Sequence, residues 1–350
     1  MGKTSLLGAV LATLILMLAA CGKAADNSAD ASPQSTASAP ASASASAAAS
    51  TSAAASSASA SPAQAVTIKH DFGETVVPAH PQRIVSYDME DMLLSLNVPL
   101  VQAFSAEGFY LDSQLKEKGI SINTSMDLNM EVFASANPDL IIINKNMLDQ
   151  SSYEQISKIA PTLPLARDDW QQSLPELGKA LGMETEAQTI IDDYKAKLEQ
   201  AKAAIVDKVG ADKTVAFIRP STKDVELDFP AWIWTAVLYR DLGLKPDPKV
   251  LDIEKNSSDT WGGSMISLET LPDLTADYLF MDYGSSLSKE ADFQKEVAVS
   301  AEVEKLNIWQ AIPAVKQGNV FKVSARHWAL NGPMADSLKI DDVVQALTSK

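Results

Sequence analysis

Residues 184–209 read ETEAQTIIDDYKAKLEQAKAAIVDKV and contain neither glycine nor proline. Apolar side chains recur in this stretch at three- and four-residue spacing. They are Ile190, Ile191, Tyr194, Leu198, Ala201 and Ile205. This period predicts a single helix with one buried face. About 26 residues at 1.5 Å each give a helix of about 39 Å. Because that is long for a small lobe, we expect the helix to join two lobes.

Short apolar segments alternate with helical patterns on both sides of this helix. The strand-like segments are residues 84–85, 100–104, 140–143, 214–218, 278–282 and 319–323. Such alternation predicts parallel βαβ units. The predicted fold class is therefore α/β, with two Rossmann-like lobes bridged by a single long α-helix. The N-terminal lobe covers residues 66–183, the connecting helix 184–209 and the C-terminal lobe 210–350. We expect a ligand cleft between the lobes, outside the carboxyl ends of the strands.

The amino terminus has the pattern of a lipoprotein signal peptide over residues 1–21. Lys3 precedes a short apolar run at residues 6–18, and the run ends in Leu-Ala-Ala-Cys21. A transmembrane anchor is the alternative, but the run is short for a membrane span. The sequence before Cys21 is similar to a bacterial lipobox, so we expect Cys21 to carry acyl chains. The mature protein would then lie outside the cytoplasm, anchored to the cell membrane by its N-terminal lipid.

Residues 22–65 are mostly alanine and serine with scattered proline. Few of these side chains could form a core, so the segment is predicted to be a disordered tether. Cys21 is the only cysteine of the chain, which excludes an internal disulfide.

Charge and motifs exclude several classes of function. The formal net charge of −16 argues against nucleic-acid binding, which requires clustered cations. The sequence contains no G-x-G-x-x-G after a strand, no P-loop, no G-x-S-x-G and no H-E-x-x-H, so an enzyme is not expected. A direct metal-ion site would need several converging ligands. Of the three histidines, His70 and His80 lie in the opening segment, and only His327 could act as a ligand.

Seven segments, in order behind the lipobox, carry a resemblance to a known family. They are PQRIV (81–85), ANPDLII (136–142), YEQISKIAPT (153–162), LGKALG (177–182), LYRDLGL (238–244), ISLETL (266–271) and IWQAIPAVKQG (308–318). Together they resemble the substrate-binding lipoproteins of iron-siderophore ABC importers. The resemblance implies a monomer that captures a ferric siderophore and delivers it to an ABC permease with a cytoplasmic ATPase. It implies no catalytic residue, no cofactor and no metal site in the protein itself.

The resemblance also assigns two docking carboxylates, one on each lobe, that contact the permease. By position they are Glu90, for which Asp91 is the alternative, and Glu269. The predicted ligand-binding residues lie at strand ends and in late loops. They are Tyr87, Tyr110, Lys145, Arg219, Trp232, Trp234, Tyr283, Arg326 and Trp328. Trp170 is interpreted as core packing.

The expected siderophore is a hydroxamate or citrate-hydroxamate and not a catecholate. Relatives that bind catecholates carry several basic residues in the pocket. Here residues 105–110 contain no lysine or arginine, and Ser221 stands where some relatives have a second arginine. The alternative is a haem- or cobalamin-binding protein of the same fold, with His327 or a methionine as an axial ligand to haem iron. A structural or adhesion lipoprotein without a small ligand is a further class.

Overall fold

The computed structural model describes residues 65–349. The predicted signal peptide, Cys21 and residues 22–64 of the predicted tether lie outside the described residues. Within the described range, none of the helices combines the length and the apolar character needed to cross a membrane. Residues 66–68 and 75–77 flank Gly73, a pattern that predicts a small hairpin. The structure has this hairpin, formed by β1 (Val66–His70) and β2 (Gly73–Val77).

The N-terminal lobe is built on five parallel strands in the order β5-β4-β3-β6-β7. The strands are β3 (Ile84–Tyr87), β4 (Leu100–Phe104), β5 (Ser121–Asn123), β6 (Leu140–Asn144) and β7 (Thr162–Leu165). The helices are α1 (Glu90–Ser95), α2 (Asp112–Glu117), α3 (Met130–Ser135), α4 (Gln150–Ile156) and α5 (Trp170–Leu181), with a 3-10 turn at Lys145–Met147. The chain adds β4 and β5 on one side of β3, and then β6 and β7 on the other side, so the switch point lies between β3 and β6. In such sheets ligands bind outside the carboxyl ends of the strands at this switch point.

The long helix α6 runs from Glu184 to Val209. Gly182 ends α5 in the left-handed conformation, with φ of +68°, and so allows the chain to turn into α6. Ala187, Ile191 and Tyr194 are buried in the first half of α6.

The C-terminal lobe has a mixed sheet in the order β11-β9-β8-β12-β13, with β10 beside β8. The strands are β8 (Thr214–Pro220), β9 (Asp224–Asp228), β10 (Lys245–Pro246), β11 (Gly263–Ser267), β12 (Tyr278–Met281) and β13 (Val320–Lys322). The helices are α7 (Pro248–Asn256), α8 (Glu290–Ser300), α9 (Asn307–Gln310), α10 (Pro313–Lys316), α11 (Ala325–Trp328) and α12 (Pro333–Thr348). Shorter turns lie at Val237–Asp241 (π-helical), Leu268–Asp273 and Ala301–Lys305 (both 3-10).

Two local features of this lobe differ from the sequence prediction. β9 runs antiparallel to both of its neighbours, β8 and β11. Only residues 221–223 join β8 to β9, and so short a link cannot hold a crossover helix. The stretch before Gly243 predicts a helix over residues 232–242, but only Val237–Asp241 forms a helical turn. The Thr235 hydroxyl donates to the carbonyl of Phe229 at 2.6 Å and closes the chain into a tight turn before it.

The last helix, α12, returns to the N-terminal lobe. It packs along α6 and against α1, and the backbone N–H groups of Met334 and Ala335 donate to the Asp91 carboxylate at 2.8 and 2.9 Å. The largest apolar core is continuous from strands of both lobes through α6 and α12. The predicted fold class, two α/β lobes with a long connecting helix, is confirmed, and the shared core limits how far the lobes can separate.

Candidate functional site

A cleft of about 340 Å³ lies between the lobes at the carboxyl ends of β3, β4 and β6. The N-terminal lobe contributes Tyr87, Asp88, Phe104, Met126, Asn144, Asn146, Met147, Arg167 and Asp168 to its lining. The C-terminal lobe contributes Trp232, Ile233, Trp234, Ser286, Leu287, Ala329 and Leu330. A larger groove of about 580 Å³ lies on the outer face, between α1, α2, α6 and α12. Because the smaller cleft collects the strand ends of the switch point, it is the candidate ligand site.

An ion pair occupies the N-terminal side of the cleft. Asp88 follows β3 in the left-handed conformation, with φ of +61°. Its carboxylate accepts hydrogen bonds from the Arg167 guanidinium and from the Asn144 amide, the latter at 2.7 Å. Both charged side chains are largely buried. A strained backbone at such a position is typical of functional sites. The sequence prediction missed both residues, although Arg167 stands two residues after β7, where a strand-end cation could have been sought.

The C-terminal side of the cleft is aromatic. Trp232 and Trp234 lie with ring centroids 5.3 Å apart, and Trp261 meets Trp232 edge-on at 6.1 Å. These three rings are called the tryptophan shelf below. Gly262 makes room for the shelf, because a Cβ at that position would overlap the Trp232 ring. The indole N–H of Trp232 is buried and has no acceptor among the described residues.

Arg219 supports the shelf from behind and does not line the cleft. Its guanidinium lies 5.4 Å from the Trp234 ring. It donates to the Asp282 carboxylate at 2.7 Å, to the Gly284 carbonyl at 2.6 Å and to Glu226 at 3.3 Å. These contacts lie within its own lobe and hold Arg219 against Trp234, and its contact with a ligand stays a prediction.

Arg326 likewise acts through a neighbouring segment, residues 284–290. Its guanidinium donates to the carbonyls of Ser286 and Ser288 at 2.8 and 2.7 Å and to Glu290 at 3.0 Å. The segment it holds carries Leu287, which packs against the apolar cluster of the N-terminal lobe that contains Tyr87 and Phe104. Arg326 is thus not in the lining but shapes the closing edge of the cleft.

The remaining predicted ligand residues divide into three groups. Tyr87 lines the cleft, as do Trp232 and Trp234. Tyr110 lies next to the cleft and donates to Asp91 at 2.5 Å. Three side chains are turned away from it. Lys145 pairs with Asp71 of the hairpin, Tyr283 donates to Glu304, and Trp328 is fully buried between Phe217 and Phe280.

The two docking carboxylates differ in exposure. Glu269 is exposed at the start of the Leu268–Asp273 turn, so a partner can reach it. Glu90 is only 5% exposed, and its carboxylate accepts from the backbone N–H groups of Phe104 and Asp88 at 2.9 and 3.1 Å. Asp91, the alternative, is equally buried. In this structure the Glu90 carboxylate braces the ends of β3 and β4, and its docking role stays a prediction.

The burial of Glu90 leads to a test by pH. Desolvation, followed by the neighbouring Asp88 charge, raises the pKa of Glu90 to about 7. A raised carboxyl pKa means that stability is lost as pH rises through the window from the unfolded value of 4.5 to about 7. Glu90→Gln keeps an acceptor for both N–H groups and removes the charge. We compare the free energy of unfolding of Glu90→Gln with that of wild type at each pH. The gain in stability at pH 8 should exceed the gain at pH 4 by about 1–2 kcal/mol.

Denaturant unfolding at the two pH values measures this difference. Glu269→Gln removes an exposed charge of the same kind and serves as the control, for which we expect no comparable change with pH. An equal effect of Glu90→Gln at both pH values would contradict the assignment of a buried, destabilising charge.

No set of three or more histidine, cysteine, aspartate or glutamate side chains in residues 65–349 is placed to hold a metal ion. His327, the one candidate axial ligand among the histidines, pairs with Asp342 at 2.8 Å and does not line the cleft. The cleft therefore offers aromatic faces, amide groups and one ion pair. That set suits a bulky organic ligand better than a bare ion.

Comparison with known proteins gives a consistent result. A family profile described as periplasmic binding protein matches residues 90–326. A probable siderophore-binding lipoprotein of Bacillus subtilis is 26% identical over 81% of this chain and 88% of its own length. The iron(3+)-hydroxamate-binding protein FhuD of the same organism is 28% identical over 82% of this chain and 87% of its own length.

Solved structures agree in fold. A FhuD fold-family protein of Bacillus subtilis, described as a component of a ferrichrome ABC transporter, is 26% identical with a TM-score of 0.65, over 81% of this chain and all of that chain. SirA of Staphylococcus aureus, solved with staphyloferrin B, is 25% identical with a TM-score of 0.65, over 81% of this chain and 98% of that chain.

Proposed function

This chain belongs to the periplasmic binding protein family, a family of substrate-binding proteins and not of enzymes, and from that premise we propose that it captures a ferric siderophore outside the cytoplasm for an ABC importer. The observation that carries the proposal is the cleft between the lobes, with Tyr87 and Phe104 on one side and Trp232 and Trp234 of the tryptophan shelf on the other. A ferric siderophore is bulky and partly apolar, so aromatic faces can hold its periphery while the siderophore satisfies the iron.

The favoured cargo is a hydroxamate or citrate-hydroxamate complex. Of the residues that line the cleft, Arg167 is the one cation, and it is paired with Asp88. A catecholate complex carries several negative charges and would need unpaired cations to offset its desolvation. Relatives named as hydroxamate-binding proteins support the same choice.

Titration of a soluble fragment starting at Val66 tests this function. We expect saturable quenching of tryptophan fluorescence by a ferric hydroxamate at sub-micromolar concentration, because Trp232 and Trp234 line the cleft. Ferric catecholate, ferric citrate-type siderophores, haem and cobalamin complete the panel. Saturation by haem or cobalamin alone would keep the fold but replace the cargo. If no member of the panel binds, the proposed function is wrong.

Delivery to a permease is the second part of the proposal. Glu269 lies exposed on the C-terminal lobe and does not line the cleft. We expect Glu269→Arg to abolish siderophore uptake by cells and to leave the affinity of the purified protein unchanged, since a reversed charge repels a basic permease surface. Glu269→Asp, which keeps the charge, is the control. A matching loss of affinity in Glu269→Arg would show that the residue acts in binding and not in docking.

Anchoring by lipid at Cys21 is the third part, and it rests on the sequence before that residue. Cys21→Ser is expected to prevent acylation and to release the protein from the membrane fraction. Mass spectrometry of the mature amino terminus checks this directly, and an unmodified Cys21 in the membrane-bound protein would refute it.

A further inference from the structure

The cleft carries a net negative charge from its own lining. Its charged residues are Asp88, Arg167 and Asp168, two acids and one base, for a formal sum of −1. Asp88 and Arg167 neutralise each other at contact distance. The unbalanced group is Asp168.

Asp168 remains available to a ligand. Its side chain is 34% exposed and its carboxylate lies 3.8 Å from the Arg167 guanidinium, too far for a hydrogen bond. Its other oxygen accepts from the Asn146 amide at 2.8 Å, and Asn146 also lines the cleft. That bond orients the carboxylate without removing its charge.

The two cations behind the opposite wall of the cleft, Arg219 and Arg326, are both paired with acids of their own lobe. Behind Trp234, Arg219 is faced by Glu226, Asp282 and Asp228. Neither oxygen of the fully buried Asp228 has a hydrogen-bond partner among the described residues. Burial raises the pKa of Asp228 and favours its neutral form. Even then, Glu226 and Asp282 outnumber Arg219.

The aromatic side chains of the cleft also favour a cationic ligand group over an anionic one. The faces of tryptophan rings attract ammonium groups, and this attraction is strongest where water is excluded. Trp232 and Trp234 lie in the same cleft as Asp168. An aromatic face together with a carboxylate is a recognition surface for an organic cation.

Resting on the function proposed above, we propose that the cleft selects ferric complexes without net negative charge, and that a cationic amine arm of the ligand lies between the tryptophan shelf and Asp168. Within the proposed hydroxamates, this favours a complex with a free amine over the anionic citrate-hydroxamate type. In this arrangement the positive charge of Arg167 is offset by Asp88.

Three ligands with identical iron coordination test the proposal. They are a linear ferric tris-hydroxamate with a free terminal amine, its N-acetylated neutral form and its N-succinylated anionic form. We expect the amine form to bind at least as tightly as the acetylated form, and the succinylated form to bind at least tenfold more weakly at low salt. The difference should shrink as salt screens the charges.

Two matched variants locate the charge that discriminates. Asp168→Asn should reduce the ratio of affinities between the amine and succinylated ligands by about tenfold. Asp169→Asn removes the same charge from the next residue, which is exposed and does not line the cleft, and it should leave the ratio nearly unchanged. Equal affinities for the three ligands, or tighter binding of the anionic one, would overturn the charge selection and leave the siderophore function standing. If none of the three binds, the hydroxamate assignment itself is wrong, and this inference is lost with it.

Discussion

Asp91→Ala should lower the free energy of unfolding by about 3 kcal/mol, a large share of the stability of an ordinary domain. The Asp91 carboxylate accepts from the Tyr110 hydroxyl and from the first free N–H groups of α12. The variant leaves these buried donors without an acceptor and removes the cap of a 16-residue helix. Denaturant unfolding of the soluble fragment measures the loss.

A second variant, at Gly332, tests the contact between Asp91 and the start of α12. It precedes α12 with φ of +150°, and a Cβ there would overlap the Asp91 side chain. Gly332→Ala is therefore destabilising by both backbone strain and overlap. Asp91→Ala removes the Cγ and Oδ1 contacts but keeps the Cβ of residue 91, which would lie 2.7 Å from the added methyl group. In a double-mutant cycle the overlap should therefore be reduced but not abolished, so that the double variant loses less stability than the sum of the two single losses. Additive losses, or a loss below about 1 kcal/mol for Asp91→Ala, would mean that Asp91 does not tie the two lobes together.

Trp232→Ala should weaken binding of a linear ferric tris-hydroxamate by about thirtyfold, or about 2 kcal/mol. Trp232 is the central ring of the shelf and contacts both other rings. Its removal deletes an aromatic side chain that lines the cleft. Calorimetric titration is the suitable measurement, because the variant also changes the fluorescence signal.

Trp261→Ala is the matched control for the shelf. Trp261 is 36% exposed and packs on Gly263 without lining the cleft, so its loss should reduce affinity less than fivefold. Trp232→Phe keeps an apolar ring and is expected to bind with intermediate affinity. Wild-type affinity in Trp232→Ala, with the fold intact by circular dichroism, would place the ligand elsewhere.

The overall fold could be predicted from the sequence because its signals are local and repeated. The uninterrupted helical period predicted α6 over the residues that the structure gives, and the alternation of strands and helices predicted two α/β lobes. The antiparallel β9 and β11 were not predicted. Strand direction depends on the length and path of connections, which composition alone describes poorly.

The candidate site could be predicted only in part, for a physical reason. Residues at strand ends, such as Tyr87, lie at the cleft because the sheet brings them there. Whether a cation such as Arg219 reaches a ligand depends on which acceptors surround it, and here Asp282 and Gly284 lie in strands and loops that the sequence does not bring together. Arg167 was missed for the same reason, since its partner Asp88 is 79 positions away in the chain.

The return of α12 to the first lobe sets the order in which the polypeptide can become stable. The bond between Asp91 and Met334 spans 243 positions, so the first lobe lacks one side of its core until almost the whole chain has left the ribosome. A nascent chain of this design should stay loosely structured and protease-sensitive for most of its synthesis. A chain that stops before Pro333 should fail as a whole, because the last helix completes the first lobe as well as the second.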